Sequence, residues 1–310
     1  MTWGLCATIK APAADILRFA AYHIEHGAHR LYIYLDDDNK AAFIPLKNHP
    51  KVRVQICDRA YWDKLRGWRP AKHQARQTMN ATHAYNRRAE VDWLIHMDAD
   101  EFLVPRTPLS DALSALPETC ALARVRPMEQ LGGSGNAFKA FIPSGPARSD
   151  VVSQLYPTFG AYLRGGFVSH IAGKVFVRTG LPDVTVKIHN AFQGDTPLPG
   201  AQDLADIDLA HCHAASWDKW RAAYDYRLDK GSYREELKAA SAPGNGGMNL
   251  HALFQSLAAG GGEEGLRAFY DEVIGDSPAL RQRLQAHGLL RIADLNLDAT
   301  TQKYFPDAAV

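Results

Sequence analysis

The chain has 310 residues, enough to bury a large core as one big domain or as one domain with an appendage. Its 46% hydrophobic and 22% charged residues are ordinary for a globular protein, and a formal net charge of +1 gives no global field for nucleic acid or for an anionic membrane, though it leaves room for a local basic patch. Four scattered cysteines, no basic-then-apolar leader and no apolar run of roughly 18 residues argue against a disulfide framework, a secretory signal and a spanning helix, and predict a cytoplasmic protein.

Residues 1–100 alternate strand and helix signals. "WGLCATI" (3–9) reads as a buried strand. Pro12 suits a first helical turn, and Ile16, Ala20, Ile24 and Gly27 follow at helical spacing, with Gly27 placed to end the helix. "RLYIYL" (30–35) is strand-like until "DDDN" breaks it, and "KVRVQIC" (51–57) alternates with period two. Pro70 opens a second helical stretch running to about Arg88, ahead of the strand-like "DWLIHM". Such alternation implies a mostly parallel sheet covered by helices, with ligands bound beyond the carboxyl ends of the strands. "DDD" (36–38) and "DAD" (98–100) both stand at such ends.

From about residue 120 the texture changes. "CALARVRPMEQLGGSG", "GKVFVRTG" and "VTVKIHN" read as strands joined by long Gly- and Pro-rich loops. "SWDKWRAAYDYRLDKGSY" (216–233) is an amphipathic helix ending near Gly231, "SAPGNGG" (241–247) is a linker, and three short helical stretches follow. The organisation expected is an α/β domain over residues 1–235 and a helical extension over residues 236–310, where Leu250, Leu253, Phe254 and Leu257 share a face that core packing explains.

Residues 92–105, "DWLIHMDADEFLVP", form an apolar run that stops at Asp98, Asp100 and Glu101. Unpaired buried carboxylates are costly, so a metal ion, an Arg or a Lys is expected to meet them, unless water does. An Asp-x-Asp pair alone is weak evidence, and Asp206/Asp208, alternating with Leu204, Ile207 and Leu209, reads as a solvated strand face. Asp98 and Asp100 instead project where an α/β sheet binds ligands. Mg²⁺ or Mn²⁺ prefers such oxygen ligands and keeps positions open for substrate phosphates. The competing structural reading has the pair capping the next helix or bonded to Arg87 or Arg106. Further on, His211 and His213 in "DLAHCHAAS" lie on one side of a strand-like run, a spacing at which two imidazoles suit a metal or, more plainly, a hydrogen-bonded core.

Taken in order, "FAAYHIEHGAHRLYIYLDD" (19–37), "DWLIHMDADEFL" (92–103), "LGGSG" (131–135), "GKVFVR" (173–178) and a histidine followed by Ser and a Lys-bearing helix (211–219) resemble the glycosyltransferases of family 2, with their GT-A fold, and more narrowly a bacterial branch of them. The resemblance covers about residues 3–232. It implies a GT-A-like, Rossmann-related fold and a glycosyltransferase dependent on a nucleotide sugar, with a UDP-linked donor expected and Mn²⁺ or Mg²⁺ as cofactor. The acceptor is a glycan or a lipid-linked sugar. No nucleic acid partner and no transmembrane segment are expected, which leaves peripheral membrane contact open.

By that resemblance Asp98 faces the ribose or the metal, Asp100 ligates the metal, and His211 is the third protein ligand, with His213 its competitor. Asp36 and Asp38 fall where such enzymes contact the base or ribose, and Arg76 is the residue of the Pro70 helix that reaches the diphosphate. Lys72, Asn80 and His83 share its polar face, Lys72 and His83 reading as solvent-facing. The family commonly carries Asn-Glu after the first strand, whereas this chain reads "IKAPAAD", so Lys10 meets a phosphate or is a surface lysine. An inverting transferase needs a base within reach of the acceptor hydroxyl. Glu129 in "RPMEQLGGSG" is the candidate, Asp183, His189 and Asp195 its rivals, and a structural bond to Arg126 or Arg164 its plainer explanation. Other readings are a carbohydrate- or nucleotide-binding protein without turnover and, less favoured, a nucleotidyltransferase or Mg²⁺-dependent phosphatase.

Overall fold

The structure is a computed structural model that describes residues 1–87, 90–240 and 247–307. Its elements begin with β1 (Trp3–Ile9), α1 (Ala13–Glu25), β2 (Arg30–Leu35), α2 (Lys40–Asn48), β3 (Val52–Ile56), α3 (Arg59–Arg66), α4 (His73–Asn86), β4 (Trp93–His96), β5 (Glu101–Pro105) and α5 (Leu109–Ser114). They continue with β6 (Leu122–Gln130), β7 (Ala137–Ala140), α6 (Arg148–Leu155), β8 (Lys174–Arg178), β9 (Val184–Val186), β10 (Ala191–Gln193), β11 (Thr196–Pro197) and β12 (Gln202–His211). Four helices, α7 (Trp217–Asp229), α8 (Leu250–Val273), α9 (Pro278–Ala286) and α10 (Leu297–Tyr304), complete the described chain, with β13 (Leu290–Ile292) between the last two. The linker expected at residues 241–247 lies outside the described residues except for its last glycine, as does Arg88.

The chain divides into two compact units, one of residues 1–126, 172–209 and 295–310, the other of residues 127–171 and 210–294. In the first, β4, β1, β2 and β3 lie side by side and parallel, Cys6 pairing with Tyr32 on one side and His96 on the other. β8 then runs antiparallel to β4, with Ile95 opposite Phe176, and the first part of β6 pairs with β8. The expected α/β, Rossmann-related architecture is therefore present. The faces of β1 part the helices: Trp3 packs edge-on against His23 of α1, while Thr8 accepts a hydrogen bond from Asn80 of α4 at 3.0 Å. Trp62, Tyr85, Leu94 and Val177 belong to the core on the α4 side.

In the second unit, β6 from Met128 pairs with β7 and β7 with β13, both antiparallel. Its core gathers Trp220, Tyr233, Phe254, Phe269 and Tyr270 from α7, α8 and the segment between them, with Phe159 and Tyr156 beside α6. The helical face read from Leu253 and Phe254 is buried in this core.

Candidate functional site

In the first unit the chain passes from β1 to β2 and β3 on one side and returns to place β4 on the other side of β1. That makes the β1/β4 boundary a switch point, where the strands' carboxyl ends open a ligand crevice in sheets of this kind. Lys10 stands exposed at the end of β1, and Met97 and Asp98 follow β4. Asp36, at the end of β2, donates its backbone N–H to Ile9 at 2.8 Å.

The turn between β4 and β5 is held by its own carboxylates. The Glu101 N–H reaches the Asp98 carbonyl at 3.1 Å, and the Asp98 N–H reaches the Glu101 Oε2 at 2.8 Å. The positive partner is Lys174, at the start of β8, with Nζ 2.6 Å from Asp98 Oδ2 and 3.2 Å from Glu101 Oε2. Lys174 and Glu101 are fully buried, and Asp98 is about one-third exposed. Burial would lower the Lys174 pKa, but Asp98 and Glu101 outweigh it and raise it, so the ammonium stays charged. Gly173 brings Lys174 there: its φ of 68° lies in the left-handed region, and a Cβ would strike the Val125 carbonyl. The amide of Gln77 on α4 takes the other Asp98 oxygen. Asp100, half-buried, shares this turn.

Asp36 is a second ionic centre. Its side chain is completely buried and receives Arg76 Nη2 at 2.7 Å, Arg69 Nη2 at 2.9 Å and His73 Nδ1 at 3.4 Å. Burial alone would raise its pKa, but the hydrogen bonds from His73, Arg76 and Arg69 drive it well below the usual range. Arg76 spends its remaining nitrogen on the Pro70 and Ala71 carbonyls, both at 2.8 Å. This explains why α4 starts at His73 and not at Pro70: the turn carrying Pro70 lends its carbonyls to the helix's own arginine. The polar face of α4 looks onto the sheet. Asn80 bonds Thr8 and accepts from Tyr61 at 2.6 Å, and His83, expected in solvent, is half-buried against the Tyr34 hydroxyl at 2.8 Å. Lys72 is exposed, as is Asp38, which lies 3.8 Å from Lys40. Arg106, a sequence candidate to neutralise Asp98, pairs instead with Asp208 at 2.6 Å and Asp206 at 3.7 Å.

In the second unit Glu129 is buried on β6, 2.9 Å from Lys139 on β7, and accepts the N–H groups of Ser169 at 2.8 Å and Val168 at 3.2 Å. Burial opposes its charge, but Lys139 and the Ser169 bond hold its pKa below the ordinary value. Lys139 also donates to the Val273 carbonyl at 2.8 Å and lies over the Tyr156 ring. Arg126, one expected partner of Glu129, pairs with Asp203 at 2.9 Å. Asp183 and Asp195 are exposed, and His189 bonds the Gly173 carbonyl at 2.9 Å.

The same unit gathers three histidines: ring centroids of His170 and His211 are 5.3 Å apart, and those of His211 and His213 are 5.2 Å apart. His213 Nε2 lies 2.9 Å from the Tyr233 hydroxyl, which also receives the Trp220 indole N–H at 3.0 Å. The indole only donates, so the Tyr233 hydroxyl accepts from Trp220 and meets His213 Nε2 in a bond whose direction is set by the imidazole tautomer. The first unit thus holds carboxylates, and the second imidazoles, of the kinds that bind a divalent metal. Gln77 had no signal in the sequence, and Lys174 only its place in "GKVFVR".

No family model matches the chain, and no curated protein matches it. Among solved structures it is similar to HddC from Yersinia pseudotuberculosis, at 10% identity and a TM-score of 0.36, over 73% of this chain and 99% of that one. It is similar also to the galactosyltransferase LgtC in complex with donor and acceptor sugar analogues, at 11% identity and a TM-score of 0.29, over 56% of this chain and 57% of that one. A mycobacterial protein shares 10% identity at a TM-score of 0.37, over 79% of this chain and 81% of that one.

Proposed function

We propose that the chain is a metal-dependent glycosyltransferase that moves a sugar from a nucleoside diphosphate, UDP-linked, to a glycan or lipid-linked acceptor. The observation that carries this reading is the presence of Asp98 and Asp100 on the turn that leaves β4, at the switch point of the parallel strands. The oxygen donors fit Mn²⁺ or Mg²⁺, which when bound supplies positive charge to a departing diphosphate. Asp98 has both oxygens engaged by Gln77 and Lys174, so it acts as an oriented acceptor for a ribose hydroxyl or as an edge of the metal site. Asp100 is assigned to the metal. His211 is assigned as a metal ligand on the sequence resemblance, with His213 its competitor.

Asp36, held ionised, is assigned to the nucleoside on the sequence resemblance, a role that requires Arg69 or His73 to move aside and expose it, and Lys10, exposed at the end of β1, is assigned to a phosphate. Arg76 holds Asp36 in place, and a diphosphate role requires it to exchange one of those bonds. Glu129 serves as acceptor base only if it gives up Lys139 for a hydroxyl. The second reading, a nucleotide-binding protein without turnover, is favoured by the internal pairing of Asp98 and Glu129.

Calorimetric titration of UDP with and without Mn²⁺, on the native chain and on Asp100→Ala, tests the proposal. Metal-dependent binding abolished by the substitution is expected. Failure of UDP, GDP, CMP and TDP alike to bind would remove the transferase reading. Binding without donor hydrolysis would leave the second one.

A further inference from the structure

We propose that α3 and the turn after it, residues 59–72, form a docking surface for an anionic phospholipid membrane. This stretch, "RAYWDKLRGWRPAK", carries five Lys and Arg residues against the single acid Asp63, four positive charges in excess within a chain whose total is +1. All five are exposed. Arg59 spends part of its charge on Asp63 at 3.4 Å and Arg69 on Asp36, while Lys64, Arg66 and Lys72 form no ion pair among the described residues. Asp58, just ahead, is occupied as the helix cap, accepting the Tyr61 N–H at 2.8 Å.

The apolar side of α3 is already used, since Trp62 is fully buried with Tyr61 and Leu65 packed beside it. What faces water is therefore the basic side. Gly67 ends the helix at a φ of 83°. Trp68 follows it with 52% of its surface exposed, the Arg66 guanidinium 5.5 Å from its ring centre. Among the described residues it is the one tryptophan left exposed. An indole with one apolar face and an N–H suits the headgroup boundary, where neighbouring cations meet anionic lipid. Charge complementarity and the aromatic anchor together select an anionic bilayer, and neither depends on the proposed activity.

Sedimentation of the full chain with vesicles tests this directly. Pure phosphatidylcholine is compared with vesicles in which about a third of the lipid is phosphatidylglycerol, at low and high salt. Binding to the anionic vesicles alone, weakened by salt, is expected. Lys64→Gln/Arg66→Gln is expected to lower the partition coefficient about 25-fold, about fivefold per charge, and Trp68→Gln to weaken it with an unchanged Tm. Equal sedimentation with both vesicle types, no sedimentation, undiminished binding by the double variant, or binding of an oligonucleotide but not of vesicles overturns the proposal.

Discussion

Lys174 Nζ lies 2.6 Å from Asp98 Oδ2, so the carboxylate that ends β4 is met by a lysine on the neighbouring antiparallel strand. Lys174 also holds the fully buried Glu101. Replacing it by Met removes the buried ammonium shared by Asp98 and Glu101, an expected loss of about 3–5 kcal/mol, against a smaller one for the Glu101→Gln/Lys174→Met pair. Urea unfolding of the single and double variants measures the difference.

Asp36 sits under Arg69, His73 and Arg76 with no exposed side-chain surface. Its pKa falls on folding, so the stability it contributes is complete above the ordinary value of 3.8 and lost as the pH drops below that value. Asp36→Asn is therefore expected to lower the urea midpoint at pH 7 and to narrow the gap as the solution is acidified towards pH 3. Arg76→Lys should cost about 2 kcal/mol, because a lysine cannot make the two-nitrogen contact with the carboxylate. An equal gap at every pH would mean that the Asp36 charge is not what matters.

Local signals made much of the first unit legible. The runs at 3–9 and 30–35 are strands over those residues, the strand expected at 51–57 forms over Val52–Ile56, and Gly27 ends the first helix at a φ of 90°. The acidic ends of β2 and β4 followed from where the apolar runs stop. What stayed hidden depends on pairing between distant segments. β13 is three residues long, and its partner β7 lies about 150 residues earlier, so no window contains the pair. Lys174 reaches Asp98 only because β8 runs antiparallel to β4, a register with no local trace. α4 misled at His83 for a physical reason: a polar position on an amphipathic helix reads as solvent-facing, yet this face turns to the sheet, where His83 meets the Tyr34 hydroxyl and Asn80 meets Thr8. Glu129 drew attention by its place beside a Gly-rich loop, whereas its burial was set by Lys139 across a hairpin.

His23 gives a pH test apart from the carboxylates. It is buried on α1 between Phe19 and Phe102, its Nδ1 2.8 Å from the Phe19 carbonyl, and burial lowers its pKa to about 3. The unfolded chain binds this proton near 6.5 and the folded chain does not, so stability falls as the pH drops from 6.5 towards 3. His23→Phe removes that proton-linked loss while keeping an aromatic ring in place. From pH 7 to pH 5 the native chain should lose about 2 kcal/mol more than the variant. Parallel urea curves at the two pH values would show that His23 is protonated in the folded protein.

Glu129 and Lys139 decide whether the second unit holds a base or an anchor. Both are buried at 2.9 Å, and Lys139 also bonds the Val273 carbonyl, joining β7 to the end of α8. Lys139→Met leaves Glu129 charged without its partner and is expected to cost about 3–5 kcal/mol. Glu129→Gln/Lys139→Met replaces both charges, and should recover most of that loss because the Gln amide can still accept from the Ser169 N–H. A well-folded double variant that transfers sugar at the native rate identifies Glu129 as an anchor. The same variant, equally stable, still binding UDP and inactive by about 10²–10⁴-fold, identifies it as the base. Stability is measured by urea unfolding, UDP binding by calorimetry and transfer by donor turnover, so a folding defect cannot be mistaken for a lost proton acceptor.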